Sequence, residues 1–428
     1  MKKRIIVVGG GAGGLELAVK LGRKLRRDKD TEVMLIDKNP THIWKPLFHE
    51  VATGSMNSYH DEASYLMLAR KHGFNFILGH VTSINTDDQT VSLAPWVDDN
   101  GVPMVAERDF KYEQLAICVG SLSNDFGIEG VKDYSRQLDS REQAELFHKH
   151  FTTQLQRTNL ASTDGTLSVA IVGGGATGVE LAADMHNVVQ RLREYGFEHF
   201  SKERLSVSII EAAPGLLPRL PERIGVSVKR ELERIGVKVY VSTRVAKVEE
   251  DAVVTSEDNR IAADISVWAA GVRAPNWLAD CGLPVDRLGR VEVNDALSVV
   301  GLPNVFAIGD CCACKTEAGT AVPPRAQAAH QMASIAKRNM LAARRGKSAK
   351  PFKYRDFGSL VSLSKYSTVG NLMGNLVRGT VFVEGWVARL AYLSLYRMHQ
   401  AAVHGRFSTL LIMLGVRIYN ATRASVKL

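Results

Sequence analysis

The sequence predicts an α/β protein in which one strand–turn–helix unit occurs twice, ahead of a basic C-terminal region. Three observations carry that prediction. The first is the stretch Arg4 to Asp37, where a hydrophobic run (Ile5 to Val8) meets Gly9-Gly10-Gly11-Ala12-Gly13-Gly14 and then a helical pattern from Leu15. A second hydrophobic run, Val33 to Ile36, ends on Asp37. The second observation is the return of this order at Val169 to Val172, Gly173-Gly174-Gly175-Ala176-Thr177-Gly178 and Val207 to Ile210, ending on Glu211. The third is charge: from Ala318 onward there are 17 Lys and Arg against Asp356 and Glu384, a balance of +15. The preceding residues carry 37 basic and 43 acidic side chains, or −6, so the body is slightly acidic and the tail strongly basic.

Each glycine run has the spacing G-x-G-x-x-G. The first glycine (Gly9, Gly173) permits a tight turn, and the second (Gly11, Gly175) lets a pyrophosphate approach the backbone. The third (Gly14, Gly178) lets helix lie on strand. The helix N-terminus then presents free N–H groups and a partial positive charge to phosphate. Asp37 follows Gly14 by 23 residues, near the roughly 20 expected of an acid that holds a ribose hydroxyl. Glu211 follows Gly178 by 33, so an extended helix or insert is expected around His186 to Arg204. Two such units mean two dinucleotide sites, or one beside a decayed copy; glycines and terminal acid intact in both favour two. The acid at Glu211, followed by Ala212-Ala213 with no Arg, disfavours a dinucleotide that carries a 2′-phosphate.

Between the units, His42 to Gly54 is too apolar for a solvated loop and should pack on ligand or core. Ser64 to Lys71 and Ser140 to Arg157 read as helices, with a turn at Asp98 to Gly101 and a boundary at Ser162 to Thr166. Leu115 to Ser121 is a strand returning to the first sheet, and Ile265 to Gly271 and Val305 to Asp310 are later strands. Asp310 at such a strand end could reach a chain of hydroxyls. Pro323-Pro324 should open a helix running from Arg325 to about Arg345.

Five cysteines, Cys118, Cys281, Cys311, Cys312 and Cys314, make no disulfide framework in 428 residues and suit a reducing compartment. Residues 38 to 117 contain no cysteine pair, and Cys311, Cys312 and Cys314 read as small packing residues. His42, His49 and His399 show no metal spacing, and no metal is expected. Met1 to Val8 imitates a signal peptide, but glycines follow at once where a longer apolar segment is needed. No segment approaches the roughly 18 apolar residues of a membrane span.

These residues resemble flavoprotein reductases with two dinucleotide-binding domains. More narrowly, Trp44 to Gly54, Gly178-Val179-Glu180 and Ala326-Gln327-Ala328-Ala329-His330-Gln331 resemble the type II NADH dehydrogenases, non-proton-pumping NADH:quinone oxidoreductases of the respiratory chain. The resemblance implies FAD, bound non-covalently, on Gly9, Gly11, Gly13, Gly14, Asp37, Lys45, Gly309, Asp310, Ala326 and Gln327. It implies NADH/NAD+ on Gly173, Gly175, Gly178, Glu211 and Gly271. It further implies Glu180 as a proton relay with a raised pKa, and Gln327 and Gln331, four apart on one helix face, aimed at the quinone. Soluble reductases of ferredoxin or disulfide type, and sulfide:quinone oxidoreductases, are rivals on the same scaffold. The last should have spaced catalytic cysteines, which are not found.

From Trp386 to Leu428 there is no acidic residue. Val387, Ala391, Leu395, Met398 and Ala402 share one helical face, with Arg389, Arg397 and Gln400 opposite; Phe407, Leu410, Leu411, Leu414 and Ile418 repeat at helical spacing. Such basic amphipathic helices, with Trp386, Tyr392, Tyr396 and Tyr419, suit a membrane surface without spanning it. No recognised nucleic-acid-binding module is present. The expected arrangement is a FAD domain in residues 1–140 and 291–345 around an NADH domain in 141–290, with a membrane-association region in 346–428. The expected setting is peripheral, on the cytoplasmic face of a bacterial inner membrane, with pairing of two chains left open.

Overall fold

The computed structural model describes residues 2–56, 62–98, 100–160, 165–197, 200–363, 367–374 and 377–421. Its first sheet has six strands, in the order Ser298–Val299, Leu302–Ala307, Gln114–Ile117, Lys3–Val8, Thr31–Asp37, Asn75–Leu78. All neighbours are parallel except the outermost pair, Ser298–Val299 with Leu302–Ala307. The second sheet has five parallel strands: Ser135–Arg136, Ile265–Trp268, Leu167–Val172, Leu205–Ile210, Lys238–Tyr240. In each, the strand before the glycines lies between the acid-ending strand and a later one. Val8 faces Ile36 and Ile117, as Val172 faces Ile210 and Trp268. Near-continuous apolar runs such as Ile5-Ile6-Val7 suit strands covered on both faces, and these three are fully buried.

The duplicated order of the sequence is therefore a duplicated topology. The insert after the second unit is helix Ala176–Val189 followed by short turns at Leu192–Tyr195 and Lys202–Arg204, with residues 198–199 outside the described residues. The expected helix at Ser64 forms as Tyr65–His72, with Ser64 Oγ accepting from Met67 N and Gly73 closing it in the left-handed conformation. Asp99, in the expected turn, and most of the expected boundary at Ser162 fall outside the described residues.

The chain crosses between units at Leu122–Ser123 and back at Val272–Arg273, and these two crossings pair antiparallel. Ser135–Arg136 belongs to the second sheet and Val131 to its core, whereas Ala274, Leu278 and Leu283 pack in the first core. The polar helix at Arg141–Leu160 is visible as a pattern; the short strand before it is not, because two residues carry no periodicity.

Residues 346–428 hold more than the expected helices. A three-stranded antiparallel sheet (Gly358–Leu363, Ser367–Gly374, Val377–Glu384) precedes helices Gly385–His404 and Arg406–Ala421. The face assignment of the first helix is corrected. His399, Gln400 and Val403 are buried while Met398 is 53% exposed, because the helix is held to the body through its polar residues. His42 Nδ1 donates to the Gly10 carbonyl at 3.0 Å, so its Nε2 accepts from His399 Nε2–H at 2.9 Å. Trp44 stacks on Tyr396 and His399, Arg23 Nη2 donates to Val403 O, and Lys71 Nζ to His404 O. Cations of the body thus meet the helix's negative C-terminus. On the second helix, Phe407, Leu410, Leu411, Leu414 and Ile418 are 74, 53, 54, 53 and 69% exposed, the expected apolar stripe. Side chains of Trp386, Val387, Arg389, Ala391, Tyr392, Leu395 and Tyr419 lie outside the described ones. No described helix is long and apolar enough to cross a membrane.

Candidate functional site

The two glycine loops are built alike to the ångström. A Cβ on Gly9 (φ +96°) would sit 2.5 Å from Cys118 O, and one on Gly14 only 1.9 Å from Gly9 O. On Gly173 (φ +116°) and Gly178 the corresponding clashes are 2.7 Å with Ala269 O and 2.1 Å with Gly173 O. These glycines are required by the protein itself. Gly11 and Gly175 are different: a Cβ there meets nothing within 4 Å, and both line an open cavity. Their smallness serves something that comes into that space, which is the fit expected of a pyrophosphate. Asp37 accepts from Gly10 N (2.5 Å) and Asn39 N (2.8 Å); Glu211 accepts from Gly174 N (2.7 Å) and Ala213 N (2.8 Å). Each acid is clamped beside its own loop. Burial raises the pKa of Asp37, against those backbone donors.

The cavity measures ≈ 1450 Å³ and reaches both loops. Single ligand sites run to about 1,000 Å³, so it has room for more than one. Over the first loop, Lys45 Nζ donates to Ser121 O (2.7 Å) and lies 3.3 Å from Asp139 Oδ1. Ser121 Oγ donates to Asp310 Oδ2 at 3.2 Å. Burial pushes the Asp310 carboxyl up while the Lys45 ammonium pulls it down. Gly309 (φ +80°) turns the strand end, its N–H resting on Met332 Sδ at 3.2 Å. Helix Ala326–Ala343 begins one residue after the expected Arg325, which is extended and serves as its cap. Its first turn has no side-chain cap and lines the cavity through Ala326 and Gln327, so free amides face a ligand there. Gly13 lies against this helix, where a Cβ would come within 3.2 Å of Ala329 Cβ. Gly271 (φ +63°) lines the cavity beside the second loop.

Glu180 is buried in the cavity wall, with Ser362 N donating to Oε1 at 3.0 Å. Burial holds its carboxyl well above the usual range; the Ser362 amide opposes this, and Asp184 and Glu50 add to it. His49 stands between two acids, its Nδ1 3.7 Å from Glu180 Oε2 and its Nε2 3.5 Å from Asp184 Oδ2. Burial lowers His49 to about 4, with the Pro46 carbonyl working the other way, so the ring is neutral near pH 7. Sequence reasoning left His49 without a role and did not single out Asp184. The only available hint was the placing of Asp184 four residues after Glu180, one turn along the same helix.

Gln327 lines the cavity with the first turn of its helix. Both amides are engaged by the backbone of residues 355–358, and Gln331 does not line the cavity. An extended neighbour meets one donor and one acceptor of each amide. The cysteines are free; Cys311, Cys312 and Cys314 are buried in the first core, and among the described residues no group could hold a metal.

Residues 3–333 match the pyridine nucleotide-disulphide oxidoreductase family. The chain is 40% identical over its whole length to the whole of a type II NADH:quinone oxidoreductase of Haemophilus influenzae. It is 29% identical to one from Staphylococcus aureus, over 88% of this chain and 92% of that one. Among solved structures, NDH2 of Plasmodium falciparum in complex with NADH superposes with a TM-score of 0.82 at 20% identity, covering all of both chains. The sulfide:quinone oxidoreductase of Aquifex aeolicus reaches 0.70 at 20%, over 94% and 92% of the two chains. The last two likenesses concern the fold.

Proposed function

The chain belongs to the type II NADH:quinone oxidoreductases, within the pyridine nucleotide-disulphide oxidoreductase family, and from that footing we propose how its residues divide the work. The protein is a membrane-associated, non-proton-pumping enzyme that takes two electrons from NADH through FAD to a quinone. Bound FAD supplies the electron transfer between the two substrates. The first loop, with Asp37, Lys45 and Asp310, holds FAD, and the amides opening at Ala326 face the charge that reduction places on its ring. The second loop, with Glu211 and Gly271, holds NADH.

Overall, NADH, one proton and quinone give NAD+ and quinol, so a proton must enter from solvent. Glu180 carries it. Its burial keeps the carboxyl protonated further up the pH scale than an exposed glutamate, and His49 links it to Asp184 as a second reservoir. The exposed stripe from Phe407 to Ile418 lies on the membrane, on its cytoplasmic face in a bacterium. One observation carries this reading: a single cavity touches both glycine loops, Glu180, and Met398 and His399 of the C-terminal region.

The test is anaerobic and in two halves, with full-length enzyme. NADH should bleach the flavin, and a short-chain quinone should restore its absorbance. Glu180→Gln should slow only the second half, by about 100-fold. Quinone failing to restore the absorbance in the wild type would end the reading, and equal slowing of both halves would remove Glu180 from it.

A further inference from the structure

Gln327 and Gln331 are four apart on helix Ala326–Ala343, and each amide is used at both ends. Gln331 Nε2 donates to Arg355 O (2.8 Å), and its Oε1 accepts from Arg355 N (3.0 Å). Gln327 Oε1 accepts from Phe357 N (3.1 Å), and its Nε2 donates to Gly358 O (3.0 Å), with Asp356 Oδ1 at 3.3 Å. The match is geometric. Four residues of helix rise about 6 Å, and two residues of extended chain advance roughly 6.6 Å. The two side-chain amides therefore present donors and acceptors at the pitch of a neighbouring β-strand. Arg325, one residue before the helix, adds an ion pair to Asp356 at 3.2 Å.

What this holds in place matters for the site. The pinned segment continues directly into strand Gly358–Leu363, whose Val361 and Leu363 are buried in the second core. The next residue inward, Ser362, gives its N–H to Glu180. We propose that Gln327 and Gln331 are positioning residues that act as a surrogate strand, docking residues 355–358 and so seating the Ser362 amide and its strand over Glu180. This rests on the proton role proposed for Glu180. Each amide spends one donor and one acceptor on this backbone and keeps further hydrogen-bonding capacity, so the docking role stands beside any contact Gln327 makes in the cavity.

Around Glu180 the facing titratable groups are His49 and Glu50 from helix Phe48–Thr53 and Asp184 from its own helix; the strand itself brings none. Loosening the strand therefore acts by admitting water and removing one N–H. Of these, water is the larger effect, since burial is the leading cause of the raised carboxyl. The proton affinity of Glu180 then falls toward that of an exposed glutamate.

The discriminating variant is Gln331→Met, because Gln331 is off the cavity wall. Two measurements are made on the holoenzyme. One is the pH profile of quinone-dependent NADH oxidation; its limb should move to lower pH by about one unit. The other is amide hydrogen exchange, in which Arg355, Phe357 and Ser362 should exchange at least tenfold faster than in the wild type. Faster exchange with an unmoved limb would keep the lock and discard Glu180 as the proton carrier. Unchanged exchange, or a raised KM for quinone with exchange unaltered, would overturn the lock. Should the variant not fold, wild-type exchange still decides: Arg355 and Phe357 amides must be protected like strand amides, and free-chain rates there would refute the proposal.

Discussion

Replacing Leu411 and Leu414 together by serine tests the membrane role of the last helix quantitatively. The five residues of its stripe are between 53 and 74% exposed, which amounts to about three whole apolar side chains in water. Burying one such side chain contributes roughly 1.5–3 kcal/mol, so laying the stripe in lipid contributes on the order of 5–9 kcal/mol before the cost of immobilisation. Leu411 and Leu414 are 54 and 53% exposed, together about one side chain. The double variant should then lose roughly 1.5–3 kcal/mol, or about 10- to 150-fold in partitioning. The assay is flotation of full-length holoenzyme with vesicles of neutral lipid, and with added anionic lipid at low and high salt. NADH oxidation by a water-soluble quinone should be unchanged, since neither leucine lines the cavity. Partitioning of the double variant equal to that of the wild type would refute the reasoning; a loss confined to anionic vesicles would show charge, not the apolar stripe, to be the anchor.

Two further outcomes follow from the geometry. Gly14→Ala should fail to give soluble protein, its Cβ falling 1.9 Å from Gly9 O, whereas Gly11→Ala should fold with an unchanged circular dichroism spectrum but bind FAD about tenfold or more weakly. His49→Gln should change the pH dependence of thermal unfolding: the wild-type ring titrates at about 4 when folded and 6.5 when unfolded. Between those values the unfolded state binds the extra proton, so wild type should lose stability relative to the variant as pH falls from 6.5 toward 4.

The parts of this molecule that could be read from its sequence are those fixed by neighbours in the chain. A glycine whose Cβ would strike its own loop, and an acid that caps that loop at the end of the next strand, leave a local trace, and both copies were legible. Convergence leaves none. His49, Glu180 and Ser362 come from three distant segments and share only a burial site, so nothing in their spacing announces them. Residues 355–358 have no periodicity, so the partner that occupies the two glutamines was invisible, and their helical spacing pointed instead to an open pocket. In the first tail helix the polar residues Gln400 and His399 face inward because His42 waits there. Amphipathic reasoning assigns polar faces to water and so placed Gln400 outward.

That meeting of His399 with His42 has a consequence for how the enzyme is made. His399 also lies 3.9 Å from Glu16, which is fully buried and bonded to His330 and Lys20, so the last segment of the chain docks on residues of the first. During synthesis the N-terminal residues emerge first and the tail last. The surface that receives His399 exists only once the Gly10 loop, with His42 on its carbonyl, has closed. Correct seating of helix Gly385–His404 is thereby a late event in biogenesis, conditional on a finished nucleotide-binding unit. A chain arrested or misfolded at its beginning would carry a tail with no seat.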